Sequence, residues 1–229
     1  DLKNHEQVVD FLDGIKKEKL WTNGIVEIVL QSSSYGLKRN VLEFWTMNDR
    51  NKQAVERLIF LEDDVVVSPS FFIYLVHRDE KSKNIRIAGI SLYRPQWNEI
   101  SWTPFKPQNC TSYMLQLPCS WGAMYYSNVW ESFLKWYKEK HNNKNNYILP
   151  KIPRSNSNFW SPQKSWKIYF LRYMMENDLY MWYPNDVSYS TTTTPVGTNI
   201  HNPTLARLFD VELSKTLSSK SLMDQQVDI

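Results

Sequence analysis

The sequence predicts an α/β fold, a mostly parallel sheet flanked by helices. Three observations carry that expectation. Stretches with apolar residues at helical spacing alternate with short β-branched or apolar runs. One of those runs, Leu58-Ile59-Phe60-Leu61, is apolar at every position, as in strands buried on both faces of a helix-covered parallel sheet. The chain has 229 residues, 42% of them hydrophobic and 14% aromatic, enough to build one substantial core.

The elements follow in order. Residues 5–19 read as an amphipathic helix, with Val8, Val9, Phe11, Leu12 and Ile15 on one stripe. Asn23-Gly24 punctuates, and Ile25 to Leu30 is a β-branched run predicted as a strand. A polar loop over 31–36 leads to a second helix carrying Leu37, Val41, Leu42, Phe44 and Trp45. After a charged connector at 48–53 come strand 58–61, helix 70–80, strand 85–91, strand 113–117 and helix 127–139. An Asn/Lys linker spans 141–146, followed by helix 164–177 and strand 179–183. A Ser/Thr-rich run to Thr194, a turn at Gly197 and a weakly helical or disordered tail complete the chain. This gives one domain over 1–203 and a tail over 204–229, with a mobile C-terminal segment. There is no internal repeat.

Composition excludes several functions. The six glycines, at 14, 24, 36, 89, 122 and 197, are nowhere closer than ten positions. Neither a GxGxxG dinucleotide loop nor a GxxxxGK phosphate loop can be written with that spacing. A net charge of +3 is too near balance to argue for nucleic acid or an anionic membrane. No apolar run approaches the ~18 residues of a membrane span, and the start at Asp1-Leu2-Lys3-Asn4 is not a signal peptide. Cys110 and Cys119 lack CxxC spacing; they read either as one bridge in an oxidising compartment or as two buried free thiols. Asn109-Cys110-Thr111 is a glycosylation sequon if the chain is secretory.

The acidic run Glu62-Asp63-Asp64 follows directly on the apolar strand. Ligands of open α/β sheets bind beyond the carboxyl ends of strands, so three carboxylates stand where a site belongs. They are not needed as helix caps, because Ser68-Pro69 supplies the preferred N-cap and first-turn residues. Adjacent carboxylates beside a core strand repel one another, and a hard divalent cation relieves this. Mg²⁺ is usually held by one or two carboxylates together with substrate phosphates, and Mn²⁺ suits the same oxygens.

Phe60 to Phe72, with its Glu-Asp-Asp core, resembles the acidic segment of GT-A glycosyltransferases. The likeness is greatest to N-acetylglucosaminyltransferases of N-glycan and O-mannosyl-glycan maturation and to related uncharacterised eukaryotic glycosyltransferase-like proteins. Tyr35 to Trp45 resembles the loop and helix before that segment, and Pro118-Cys119-Ser120-Trp121-Gly122-Ala123-Met124 the family's turn before an acceptor-side helix. Ser165-Trp166-Lys167, Tyr183-Pro184-Asn185 and Gly197 to His201 resemble its C-terminal block. The resemblance covers roughly residues 5–202.

It implies a GT-A-like fold, a nucleotide-sugar donor, usually UDP-linked, and a glycan or glycoprotein acceptor. It makes Asp64 the direct ligand of Mn²⁺ or Mg²⁺, with His201 as a second metal or diphosphate contact. Glu62, Asp63, Gly36, Lys38, Trp121 and Gly122 are then the donor-side residues. Lys38 and Arg39, opening a helix, could meet a phosphate or be ordinary solvated side chains. Trp121, Trp160, Trp166 and Trp182 could stack on sugars, although core packing accounts for most tryptophans in a chain with ten. The implied setting is the Golgi or endoplasmic reticulum lumen, behind an anchor this chain does not contain.

The chain departs from the pattern twice. The helix read over 164–177 has no acid before Glu176, where the family carries a catalytic carboxylate, so the general base is unassigned; Asp178 and Asp186 are near only in sequence. The first strand read is 25–30, so the family's first one or two strands are missing. A non-catalytic carbohydrate-binding or interaction module on a degenerate frame is the alternative reading. A glycoside hydrolase ranks last, because contiguous acids do not provide two carboxylates ~5–9.5 Å apart across a sugar.

Overall fold

The computed structural model describes residues 2–18, 24, 28–29, 31, 33, 35–44, 55–62, 65–69, 71–81, 86–95, 97–98, 101, 103–104, 110, 112–142, 149–150, 160–185 and 194–195. The chain divides into two compact units, Asp1–Tyr35 and Gly36–Ile229. The first unit contains helix α1 (Leu2–Glu18), which starts three residues before and ends one residue before the predicted 5–19. Ile28 and Val29, from the predicted strand 25–30, lie outside any strand; the rest of that run is outside the described residues. β-branching favours a half-buried pleated surface, and Val29 is 64% exposed.

The second unit opens with α2 (Gly36–Arg39), which widens into a π-helical turn over Asn40–Phe44 where a regular helix was expected. Arg39 bridges Glu43 across that turn. The remaining elements are β1 (Arg57–Phe60), β2 (Val65–Val66), α3 (Phe71–Lys81), β3 (Ile87–Ser91), β4 (Trp97–Asn98), β5 (Thr103–Pro104), β6 (Ser112–Leu115), β7 (Ala123–Tyr126), α4 (Ser127–Asn142), α5 (Lys167–Asn177), β8 (Tyr180–Pro184) and β9 (Thr194–Pro195). The expected boundary at 203/204 and the tail lie outside the described residues.

Five strands form the main sheet in the order β1-β7-β3-β8-β6. Only β3 and β8 pair in parallel; β1 with β7, β7 with β3 and β8 with β6 are antiparallel. The sheet is therefore mixed, which corrects the expectation of a mostly parallel one. The cause is β7, four residues directly after the Pro118–Gly122 turn, which run against both strands they separate. A second correction concerns β1, which alternates in burial. Leu58 and Phe60 pack into the core, whereas Ile59 is exposed and Arg57 pairs with Asp79 of α3 at 2.6 Å.

Alternation along the strands feeds two apolar layers. Ala123, Tyr125, Met181 and Tyr183 face the side covered by α4 and α5, while Met124 and Trp182 face Tyr74 and Leu75 of α3. The chain is thus a helix-covered α/β sheet, as the residue pattern predicts. The larger layer is aromatic. Trp130 and Phe133 of α4 meet Phe170 of α5, with Trp130 5.5 Å from Trp166 and Phe133 4.7 Å from Phe170, edge to face. Trp160, Trp166 and Trp182 are all buried, so packing absorbs them.

Gly89 occupies the middle of β3, where that strand shifts register against β8. A Cβ there would stand 2.2 Å from the Met124 carbonyl oxygen in the neighbouring strand. Backbone on backbone has no rotamer through which to relax. Gly89→Ala is expected to cost at least about 3 kcal/mol, the upper end of overpacking penalties; urea unfolding measures it, and a change under about 1 kcal/mol would contradict the close approach.

Candidate functional site

β1, β3 and β8 all run toward one edge of the sheet, and antiparallel β7 and β6 begin there. The acidic segment leaves at that edge. Beyond Phe60 the chain passes Leu61 and Glu62, and Val65 N–H donates to the Glu62 carbonyl at 3.2 Å, which brings the two flanks of the acidic segment together. Asp63 and Asp64 themselves lie outside the described residues. Ser68 is fully buried; its carbonyl accepts the Phe71 N–H at 3.0 Å, and α3 starts there.

The turn is fastened to a later part of the chain. Val65 and Val66 pair with Pro195 and Thr194, antiparallel. The last part of the predicted C-terminal block, Gly197 to His201, begins two positions after Pro195 in the sequence and lies outside the described residues. His201 is outside the described residues, six positions past Pro195.

Glu62 is half-buried and its Oε1 is sealed from solvent. Its charge reaches the hydroxyl of Tyr125, which donates to the Cys119 carbonyl at 2.6 Å. Burial pushes that hydroxyl well above its ordinary range; the Glu62 charge adds to the effect and the bond to the Cys119 carbonyl opposes it.

Phe60 pairs with Ala123, so Gly122 stands one step beyond, level with Leu61 and one residue from Glu62. Gly122 has φ of +80°, a left-handed turn that glycine adopts without a Cβ penalty. Its carbonyl accepts the Leu92 N–H at 2.9 Å, joining the starts and ends of neighbouring strands. Trp121 packs edge-on against Tyr93 at 4.8 Å and is buried. Glu62, Trp121 and Gly122 are therefore brought to one edge of the sheet.

Gly36 opens α2 with φ of +71°, and nothing lies within 4 Å of where its Cβ would be. Lys38 is engaged elsewhere. Its ammonium donates to the Pro162 carbonyl at 2.8 Å and to the Tyr169 hydroxyl at 3.2 Å, and sits 4.5 Å above the Tyr169 ring. Burial lowers its pKa. Through these bonds it fastens α2 to the approach to α5.

Arg94, which follows β3 at the same edge, was not singled out by the sequence pattern. It is half-buried and near enough to Tyr113 to oppose the upward push that burial gives the Tyr113 hydroxyl. An isolated arginine in a loop carries no motif; the strand topology puts it on the β8–β6 side of the sheet, two strands from β1. Asn185, at the end of β8, donates to the Cys110 carbonyl. Both cysteines are free; Cys119 is buried, as the free-thiol reading expects, whereas Cys110 is exposed.

Two of the acids weighed for a general base stand at the wrong end. Glu176, in the last turn of α5, accepts from Trp136 Nε1 and Arg172 Nε, both at 2.8 Å. Asp178 ends that helix with φ of +52° and bonds Arg86 and Tyr180 at the amino end of β8. Both are opposite the acidic turn, and Asp186 is outside the described residues. Burial pushes the Glu176 carboxyl up, but the bonds from Arg172 and Trp136 and the Arg172 and Lys140 charges outweigh it, so its pKa is lowered. A lowered carboxyl contributes stability above its unfolded value and loses it as pH falls through the folded one. Glu176→Gln is expected to lower stability at pH 7, where the charged carboxyl contributes, and to lower it less at pH 3, flattening the acid limb; denaturation at pH 3 and 7 measures it, and an equal loss at both would contradict an ion-pair role.

Among the described residues no group of three or more His, Cys, Asp or Glu side chains gathers as a metal set. The three-carboxylate turn reaches beyond them. No helix among them is long and apolar enough to cross a membrane. A comparison with protein families finds none that matches, and a comparison with curated proteins finds no relative.

Proposed function

We propose that this chain is a metal-dependent glycosyltransferase domain, moving a sugar from a nucleotide-sugar donor, UDP-linked by resemblance, to an acceptor hydroxyl. The observation that carries the reading is the position of the acidic turn. Glu62 leaves the carboxyl end of β1 beside the start of β7, and β2, three residues further on, pairs with Thr194 and Pro195. Carboxylate oxygens at a strand end suit a hard divalent ion with a diphosphate. The half-buried Glu62, with one oxygen withdrawn from solvent, fits such a donor set.

In this reading Asp64 holds the Mn²⁺ or Mg²⁺, with His201 as a second contact, and Glu62 and Asp63 orient the donor. When bound, the ion neutralises charge developing on the leaving diphosphate. Gly122 keeps the backbone open beside Glu62, and Trp121 walls the edge. The acceptor hydroxyl needs a base at this edge, which excludes Glu176 and Asp178. A luminal compartment of the secretory pathway is the proposed setting.

One observation favours a second reading, a non-catalytic carbohydrate-binding module: α5 has no acid in its first turn, and Lys38 is held by Pro162 and Tyr169. Incubating the chain with UDP-sugars, Mn²⁺ and a panel of glycan acceptors distinguishes the two. Released UDP with a glycosylated product is the expected result. Glycan binding with no UDP release would replace the transferase with the module.

A further inference from the structure

Residues 116–122, between β6 and β7, cross the sheet from its β6 edge, past β8 and β3, to the place β7 takes beside β1. Leu117, Cys119 and Trp121 of this crossing pack in the layer under α4 and α5. Two buried tyrosines of the same layer hold it. Tyr183 of β8 donates its hydroxyl to the Leu117 carbonyl at 2.8 Å, and Tyr125 of β7 donates to the Cys119 carbonyl at 2.6 Å. The far end is fixed at Gly122, whose carbonyl accepts the Leu92 N–H at 2.9 Å and the Cys119 thiol at 3.6 Å. A buried network satisfied in this way rigidifies the segment it holds.

Within 117–125 every residue is buried except Ser120, which is partly exposed. Among the described residues its hydroxyl has no hydrogen-bond partner. Its neighbours set its place. Cys119, one residue before, is bonded to the Tyr125 hydroxyl, which also feels the charge of Glu62. Gly122, two residues after, is level with Leu61 at the end of β1. A polar side chain with its bonding capacity unused therefore stands on an immobilised segment at the edge where the acidic run leaves the sheet. A serine hydroxyl both donates and accepts, as a sugar hydroxyl does, and carries no charge to favour a phosphate. The fixed crossing also spares binding the cost of ordering a loop.

We propose that Ser120 binds the donor, its hydroxyl hydrogen-bonded to a sugar hydroxyl of the nucleotide-sugar, and that Tyr125 is the residue that positions it. This rests on the proposed transferase activity. Titration calorimetry on the full chain, with Mn²⁺ present throughout, tests it with three kinds of probe: inorganic pyrophosphate, UDP, and UDP-glucose, UDP-galactose and UDP-N-acetylglucosamine as UDP-sugars. Ser120→Ala is expected to weaken UDP-sugar binding by about three- to tenfold, the worth of one hydrogen bond, at an unchanged melting temperature. A loss confined to the UDP-sugars assigns the contact to the transferred sugar; an equal loss with UDP and none with pyrophosphate assigns it to the ribose. Tyr125→Phe keeps the ring and releases the Cys119 carbonyl. It should weaken the same probes, and the double variant should lose little more than Ser120→Ala alone, because both act through one contact. Fully additive losses would overturn the positioning role of Tyr125. Unchanged affinities in Ser120→Ala, while the unaltered chain binds UDP, would overturn the assignment of Ser120 and leave the transferase standing. A loss that extends to pyrophosphate would overturn it too, by making the contact an anionic one. No binding of any probe by the unaltered chain would overturn the transferase reading and this assignment with it.

Discussion

Asp64→Ala is expected to abolish the dependence of uridine diphosphate affinity on Mn²⁺ while leaving the melting temperature almost unchanged. The two flanks of the acidic segment are joined by a backbone bond from Val65 to Glu62, which does not use the Asp64 side chain. The fold should therefore tolerate its loss. A direct carboxylate ligand supplies several kcal/mol to a metal–diphosphate contact. Its removal should weaken Mn²⁺-supported binding by on the order of a hundredfold or more. Affinity without metal should be unaffected. Titration calorimetry with and without Mn²⁺ gives both numbers. Equal metal dependence in the two proteins would remove Asp64 from the metal, and no metal dependence in the unaltered chain would remove the metal from the proposal.

The largest loss of stability is expected from Trp130→Ala. Trp130 is fully buried at the junction of sheet and helices, with ring neighbours Phe60 at 5.0 Å, Tyr125 and Phe133 at 5.3 Å, and Trp166 and Phe170 at 5.5 Å. Five rings from β1, β7, α4 and α5 would then face one cavity. Truncating a buried tryptophan costs about 3–5 kcal/mol. For a chain of this size that lowers the melting temperature by on the order of 10 °C. Trp130→Phe retains a ring and should lose less than half as much. Scanning calorimetry separates them; equal melting temperatures for the two variants would show that the cavity does not govern the cost.

Helices were the most legible part of the sequence because their apolar stripes are long. The segments read over 70–80, 127–139 and 164–177 correspond to Phe71–Lys81, Ser127–Asn142 and Lys167–Asn177. Strands 85–91, 113–117 and 179–183 also correspond, to Ile87–Ser91, Ser112–Leu115 and Tyr180–Pro184. β7 was not legible. Ala123-Met124-Tyr125-Tyr126 shows no polar alternation, because both of its faces are covered, and it directly follows a Pro- and Gly-containing turn. Missing that strand reversed the expectation for the sheet, since β7 contributes two of its antiparallel pairings. β1 misled in the opposite direction: an apolar run reads as buried on both faces, yet Ile59 is exposed.

At the candidate site, the chain order of Glu62 and the Trp121-Gly122 turn sufficed to bring them to one sheet edge. Lys38 shows the limit of such reasoning. A lysine near a helix start reads as an anion contact, whereas its partner carbonyl, on Pro162, is 124 residues away in sequence.

A crystal of the full chain grown with UDP and Mn²⁺, with data collected to reveal the anomalous signal of manganese, tests the central claim most directly. The account predicts one anomalous peak at the turn following β1, within coordination distance of an Asp64 carboxylate oxygen and of the diphosphate. An acidic turn whose side chains bond only to backbone amides or lysines, with no manganese beside it, would contradict that account.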